Sequence, residues 1–301
     1  MVSVEAPAKL NLHLQVLESG PDGFHRIASV FQAISLADRL VLRSLKATRG
    51  VELQGSFDCP PHVNTITRAA RAWLEAADID AGVEITVDKR VPAGAGLGGG
   101  SSDAAATLKG LQALFGIRLG EATMSRIARS IGSDVPFFLG SARAFVTGRG
   151  EILEPLDDGF PFHAVVVDPG FAIRTPDAYR ALDASRFDPR APVTVEPAAD
   201  HVKEAFRGNP RDWPFRNDFL EALAPAYPEL EPLVGRLRST GAAFSGLSGS
   251  GSACFALYED GAEADRIAAG LSRDGLSAFS CAALARLPEP GYNSALDSAV
   301  G

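Results

Sequence analysis

Along the first stretch of the chain, apolar and polar residues alternate, with Leu10, Leu12, Leu14 and Val16 on one side and Lys9, Asn11, His13 and Gln15 on the other. A period of two predicts a half-buried β-strand whose polar side faces water. A turn at 20–23 follows, and apolar runs at 27–36 and 39–45 predict further short strands. Ile66, Ala69, Ala70, Trp73 and Ala77 then recur at helical spacing, which predicts a helix over 64–77. Val83, Ile85 and Val87 return to period two and lead into Pro92 and a glycine-rich stretch. After Ser101 the pattern is helical again, with Ala104, Leu108, Leu111 and Phe115 in one stripe and Gly116 near its end. The unit reads strand, glycine loop, helix.

A second helix is predicted over 121–131, stopped by Gly132. The Pro- and Asp-rich residues 154–161 read as a junction, with a domain boundary at residue 160. Beyond it, strands are predicted at 164–167, 253–258 and 277–284, and helices at 177–182, 219–237 and 262–271. Strands and helices mixed without regular alternation define an α+β class. The expected organisation is a domain over 1–160, a second over 161–287 and a loose tail over 288–301.

Composition narrows the function classes. A chain of 301 residues, 46% hydrophobic, can bury one large core or two medium ones, and 20 Pro with 30 Gly is far from collagen-like or low-complexity composition. The net charge of -8 argues against nucleic acid and anionic membrane as partners, so an anionic ligand must be held locally. Cys59, Cys254 and Cys281 are too widely spaced for a disulfide framework or a metal knuckle, which fits a reducing cytoplasm. Residues 1–9 carry an acid and a proline where a signal peptide needs a basic region and an apolar run. The stretch 239–258 is uncharged, but its four glycines and five serines make a poor membrane span.

The strongest chemical signal is Pro92-Ala93-Gly94-Ala95-Gly96-Leu97-Gly98-Gly99-Gly100-Ser101-Ser102. A glycine loop opening a helix lets backbone N–H groups and the positive helix end face phosphate oxygens. Gly94, Gly96 and Gly99 satisfy G-x-G-x-x-G, yet a dinucleotide-binding unit wants this loop after its first strand and an acid closing the next, and Glu121 falls on a helical segment. The G-K-[ST] ending of a P-loop is absent, as are H-R-D and D-F-G. Without a ligand, the same loop is a turn before a helix capped by Ser101 or Ser102.

Three other positions can carry chemistry. Lys9 shares a strand side with Asn11 and His13, which is either a ligand-binding trio or a solvated face. Asp134 precedes Val135-Pro136-Phe137-Phe138, where a carboxylate either takes a proton from a substrate hydroxyl or caps a short helix. Finally, Ser248-Gly249-Ser250-Gly251 lies between apolar flanks at 240–244 and 253–258, so its glycines belong to a folded element that approaches an anion or another loop closely.

In their order along the chain, Pro7-Ala8-Lys9, the loop at 92–105 and Ser248-Gly249-Ser250-Gly251 resemble the three motifs of the GHMP kinases. Ala6-Pro7-Ala8-Lys9-Leu10-Asn11-Leu12, Asp22-Gly23-Phe24-His25, Leu97-Gly98-Gly99-Gly100-Ser101-Ser102 and Gly132-Ser133-Asp134-Val135-Pro136 resemble the branch of that superfamily whose acceptor carries a cytidyl group. The resemblance runs from about Glu5 to Leu287. It implies the two-domain GHMP fold, with an N-terminal ATP-binding domain and the active site in the cleft between domains. The implied reaction is transfer of the γ-phosphoryl group of ATP to the 2-hydroxyl of a cytidyl substrate, in the non-mevalonate route to isoprenoid precursors.

By the same resemblance, Asp134 matches the catalytic base and Lys9 the partner that orients the accepting hydroxyl. Pro92 to Ser102 match the ATP loop, with Asn64 and Lys89 near the adenosine. Asn11 and Thr175 match substrate contacts, His25 the reader of the cytosine edge, and Phe24 and Tyr179 the aromatics flanking that base. Phe24 stands where tyrosine is frequent, which keeps a stacking face and loses a hydroxyl. Mg²⁺ is expected to bridge phosphate oxygens, held by ATP, water and the Ser102 hydroxyl. A monomer or weak homodimer is expected. The rival readings are a homoserine- or mevalonate-type kinase of the same superfamily and a catalytically silent nucleotide-binding module. Phe24, His25 and Tyr179 oppose the first; Lys9 with Asp134 opposes the second.

Overall fold

The structure, a computed structural model, describes residues 1–19, 23–45, 48–186 and 199–292. The chain runs β1 (Val2–Ser19), β2 (His25–Leu45), β3 (Gly50–Gln54), α1 (Thr65–Ala76), β4 (Gly82–Asp88), α2 (Gly99–Phe115), α3 (Glu121–Ile131), α4 (Val135–Gly140), β5 (Arg143–Thr147) and β6 (Ile152–Pro155). It continues with β7 (His163–Asp168), α5 (Thr175–Ser185), α6 (Ala199–Arg207), α7 (Asp218–Leu223), α8 (Leu230–Arg238), β8 (Phe244–Leu247), β9 (Cys254–Tyr258), α9 (Gly261–Arg273), β10 (Ser277–Ala282) and β11 (Gly291–Tyr292). A seven-stranded sheet has the order β11-β1-β2-β4-β3, with β5 on β2 and β6 on β5. A four-stranded antiparallel sheet has the order β10-β7-β9-β8. Two sheets with helices and strands in irregular order make the α+β class expected from the sequence.

The first strand departs from its reading. Lys9, Asn11, His13 and Gln15 are all buried, at 4%, 3%, 5% and 6% exposure, so β1 is covered on both faces. The apolar series is also split. Leu10 and Leu12 pack in one core cluster, while Leu14 and Val16 pack in another. The split coincides with a register shift between Asn11 and His13 against β2. Because side chains alternate with period two, one extra residue turns the strand's faces over. Past the shift Leu14, and not His13, shares a cavity wall with Lys9 and Asn11.

Other expectations need smaller corrections. The runs at 27–36 and 39–45 are one continuous strand, β2. The single helix expected over 219–237 is two, α7 and α8, because Pro225 and Pro228 stand between them and proline removes a helical donor. The helix after the glycine loop starts at Gly99, with Gly98 in the left-handed conformation before it and no side-chain cap, so Ser101 and Ser102 lie inside the first turns. The tail is not loose at its start. Gly291 and Tyr292 pair with Ser3 and Val2, and residues 293–301 lie outside the described ones.

The helix readings at 64–77 and 121–131 match α1 and α3 closely. In α1 the stripe Ile66, Ala69, Ala70 and Trp73 is fully buried, and Asn64 caps the helix by accepting from Ile66 N. No helix among the described residues is long and apolar enough to cross a membrane.

Candidate active site

Three backbone segments converge here. The Lys9 amide donates to the Leu97 carbonyl at 2.9 Å, tying β1 to the glycine loop. The Ala253 amide donates to the Ala95 carbonyl at 3.0 Å, and the Ser248 hydroxyl donates to the Gly96 carbonyl at 3.0 Å. Three successive loop carbonyls are therefore anchored from outside. In a trans peptide the N–H points opposite to the C=O, so the amides of Gly96, Leu97 and Gly98 turn away from those anchors. Gly94, Gly96 and Gly98 have φ of 66°, 78° and 72°, values that a side chain resists. A Cβ on Gly96 would sit 2.1 Å from the Ser248 carbonyl oxygen, so the 248–251 turn and the loop touch backbone to backbone.

The loop lies between two cavities. One, of about 430 Å³, is lined by Asn64, Lys89, the loop from Pro92 to Ser101, and Asp103. The other, of about 710 Å³, is lined by Lys9, Asn11, Phe24, His25, Asp134, Thr175 and Tyr179, with Gly96 and Gly98 on its loop side. All but one of the positions expected to bind ATP or acceptor line one of these two spaces.

The exception is Ser102. It is 1% exposed, its hydroxyl has no partner, and it lines a small separate cavity with Lys109 and Phe138. Ser102 therefore does not fit as a ligand of phosphate-bound Mg²⁺. Among the described residues no group of three or more His, Cys, Asp and Glu could hold a metal ion.

In the larger cavity Lys9 is nearly fully buried and its ammonium donates to Asn11 Oδ1, lies 4.8 Å from the Phe31 ring centroid and stands 3.9 Å from Asp134 Oδ2. Burial pulls the Lys9 pKa below the ordinary lysine value, and Asp134 pushes it partly back. Asn11 is held by Ser29 Oγ, to which its Nδ2 donates at 2.9 Å. Asp134 occupies the N-cap position of α4, yet its side chain makes no cap bond, so the carboxylate is turned to the cavity rather than spent on the helix. Its Oδ1 accepts from Ser133 Oγ at 3.3 Å.

At the other end of this cavity, His25 is fixed at both ring nitrogens. Nδ1 donates to the Leu17 carbonyl at 3.0 Å, and Nε2 lies 2.8 Å from Asp183 Oδ1. Tyr179 stacks on the His25 ring, with centroids 5.3 Å apart and 16° between planes. The expected sandwich of Phe24 and Tyr179 is thus arranged differently: Tyr179 backs His25, and Phe24, 58% exposed, carries the Arg149 guanidinium 4.4 Å above its ring. Thr175 opens α5 and shares a 3.1 Å hydrogen bond with Ser250.

The ammonium of Lys89, expected near the adenosine, is engaged by two acids, Asp38 Oδ2 at 2.5 Å and Asp103 Oδ2 at 2.8 Å. Burial pushes the Asp103 carboxyl up to about 7, against the opposing pull of Lys89. Asp183, Arg149 and Asp38 escaped the sequence reading. Asp183 had a signal, since it lies one helical turn after Tyr179 on the same face. Arg149 and Asp38 had none, because each is brought in by strand pairing.

The arrangement of a backbone anion cradle beside a lysine and an uncapped carboxylate is that of a phosphoryl-transfer enzyme. The GHMP kinases N terminal domain model matches residues 64–141 and the GHMP kinases C terminal model matches 199–276. The 4-diphosphocytidyl-2-C-methyl-D-erythritol kinase of Thermus thermophilus is 42% identical over 267 residues, 88% of this chain and 91% of the relative. The one of Treponema pallidum is 38% identical over 275 residues, 88% and 92% of the two chains. A crystal structure of 4-(cytidine 5'-diphospho)-2C-methyl-D-erythritol kinase superposes with a TM-score of 0.79 at 40% identity, covering 93% of this chain and 98% of that one. The chain belongs to this family of GHMP kinases.

Proposed function

We propose that the chain transfers the γ-phosphoryl group of ATP to the 2-hydroxyl of 4-diphosphocytidyl-2-C-methyl-D-erythritol, in the non-mevalonate route to isoprenoid precursors. The observation that carries this reading is the 3.9 Å spacing of Lys9 Nζ and Asp134 Oδ2 beside the glycine loop. A hydroxyl oxygen can stand within about 2.6–3.2 Å of both atoms at once. Lys9 then orients and polarises that oxygen, and Asp134 takes its proton as it attacks phosphorus. The loop amides hold the phosphate charge from the adjoining cavity, so the chain contributes position and electrostatics rather than covalent chemistry. Mg²⁺, where it enters with ATP, would offset phosphate charge.

In this reading Asn11 and Thr175 hold the erythritol part, and His25, oriented through Nδ1 by Leu17, reads the cytosine edge through Nε2 beside Phe24, the base displacing the exposed Asp183 carboxylate from that nitrogen. Tyr179 acts by supporting His25. Asn64 lines the nucleotide cavity while capping α1. The domain boundary falls at 160, between β6 of the first sheet and β7 of the second. We read the assembly as a monomer or weak homodimer. The three free cysteines are in keeping with a reducing cytoplasm.

The test is a panel of acceptors with ATP, following ADP release. The expected result is turnover with the cytidyl substrate and far less with homoserine, mevalonate or methyl-erythritol phosphate lacking the nucleotide. Equal turnover of any of these overturns the reading.

A further inference from the structure

The glycine loop poses a physical problem that its own residues do not solve. Three left-handed glycines within five positions leave an unfolded loop with much freedom to lose, and a cradle works only if its amides are in place before the anion arrives. The carbonyl anchors described above fix its middle. Its two ends need another tie.

Those ends meet at Lys89. On the entry side, Asp38, whose side chain is fully buried in β2, accepts from the amides of Arg90 and Val91 at 2.6 and 2.8 Å through Oδ1. Its Oδ2 accepts from Lys89 Nζ. On the exit side, Asp103 in α2 accepts from the same ammonium through its own Oδ2. The Asp103 side chain is 4% exposed, and its other oxygen has no partner, although it borders the nucleotide cavity. Two carboxylates against one ammonium, beside a site for a polyanion, make poor sense as a ligand contact. They make sense as a clamp.

We propose that Lys89 is a positioning residue: held between Asp38 and Asp103, its ammonium ties the entry strand of the glycine loop to the helix at its exit and so presets the cradle for the phosphates. The clamp rests on the reading of 92–102 as the ATP loop. It assigns Lys89 a role through the loop rather than by touching the adenosine. Charge-assisted hydrogen bonds are shorter and stronger than neutral ones, and this pair joins β2, the end of β4 and α2 at one atom.

The experiment is amide hydrogen exchange over 92–102, without ligand and with saturating ATP, in wild type, Lys89→Met, Lys89→Arg and Asp103→Asn. Affinities for ATP and for inorganic triphosphate are measured in parallel. In wild type, ATP should slow exchange in the loop. Without ligand, Lys89→Met should exchange there about tenfold faster, the loss of one strong tie, with the second sheet unchanged. Both ATP and triphosphate should weaken by a similar factor, while the acceptor KM stays put. Lys89→Arg should recover most of the protection. Asp103→Asn, which has nearly the same shape, should loosen the α2 end, and it serves as the test should Lys89→Met not fold. Loss of ATP affinity with unchanged triphosphate affinity and unchanged exchange would mean a direct adenosine contact, and would overturn the clamp alone. Wild-type loop amides that ATP leaves unprotected would overturn the ATP-loop reading together with it.

Discussion

Lys9 Nζ and Asp134 Oδ2 stand 3.9 Å apart, one on a strand buried on both faces and the other at the head of a short helix that it does not cap. The gap is too long for a direct hydrogen bond and suits a hydroxyl oxygen that contacts both groups. Asp134→Asn keeps the shape and removes the proton acceptor. Turnover should fall by roughly 100-fold or more with ATP affinity nearly unchanged. Single-turnover rates beside equilibrium ATP binding separate the two effects, and unchanged turnover would remove Asp134 from the chemistry.

Lys9 carries its charge at a cost, since burial disfavours the ammonium. The alkaline limb of kcat/KM should therefore begin below the ordinary lysine value, and Lys9→Met should lower kcat across the whole range. A wild-type profile that stays flat past that ordinary value contradicts the role given to Lys9.

Gly96 has φ of 78°, and a Cβ there would meet the Ser248 carbonyl oxygen at 2.1 Å. Gly96→Ala must then move either the loop or the turn, at a cost of about 1–3 kcal/mol for the backbone conformation alone. The urea midpoint should drop and the KM for ATP should rise. A variant as stable as wild type with normal ATP affinity would show that the two turns do not depend on each other.

His25 is held by Leu17 through Nδ1 and backed by Tyr179, and the base takes the place of the exposed Asp183 at Nε2. A hydrogen bond lost from a dry pocket costs about 1–3 kcal/mol, so His25→Ala should weaken the cytidyl substrate about tenfold or more, with little change for ATP. Replacing cytosine by uracil exchanges a donor for an acceptor on the base edge. Wild type should reject the uracil analogue, and the alanine variant should reject it less.

His13 gives a prediction on stability. Burial and the nearby Arg216 pull its pKa from 6.5 down to about 4, with Asp218 opposing. The unfolded chain therefore binds the extra proton first as pH falls, and the native state loses stability from about 6.5 downward. Between pH 7.5 and 5 this amounts to roughly 2 kcal/mol, and His13→Gln should flatten that part of the curve. Urea midpoints at several pH values for both proteins measure the difference; equal slopes would show that His13 is not the group responsible.

What the sequence reveals depends on how local the cause is. The helices at 64–77 and 121–131 are set by apolar spacing and a stopping residue, and both were readable. The glycine loop was readable because only glycine tolerates its angles. The burial of Lys9 and Asn11 was not, because the 248–251 turn that covers Asn11 lies more than 200 residues away and the register shift that re-aims β1 leaves no mark on its own pattern. Asp38 looks like any surface acid until Arg90, Val91 and Lys89 reach it.

Phosphoryl transfer to the 2-hydroxyl of the cytidyl substrate is tested most directly by a proton-coupled phosphorus spectrum of the product. The carbon bearing that hydroxyl also bears the methyl group and no hydrogen. A monoester formed there should give a new phosphorus resonance with no three-bond coupling to a proton, appearing in step with ADP. A resonance split by carbinol protons would place the phosphate on another hydroxyl, and ADP release with no new monoester would leave only ATP hydrolysis; either result contradicts the claim.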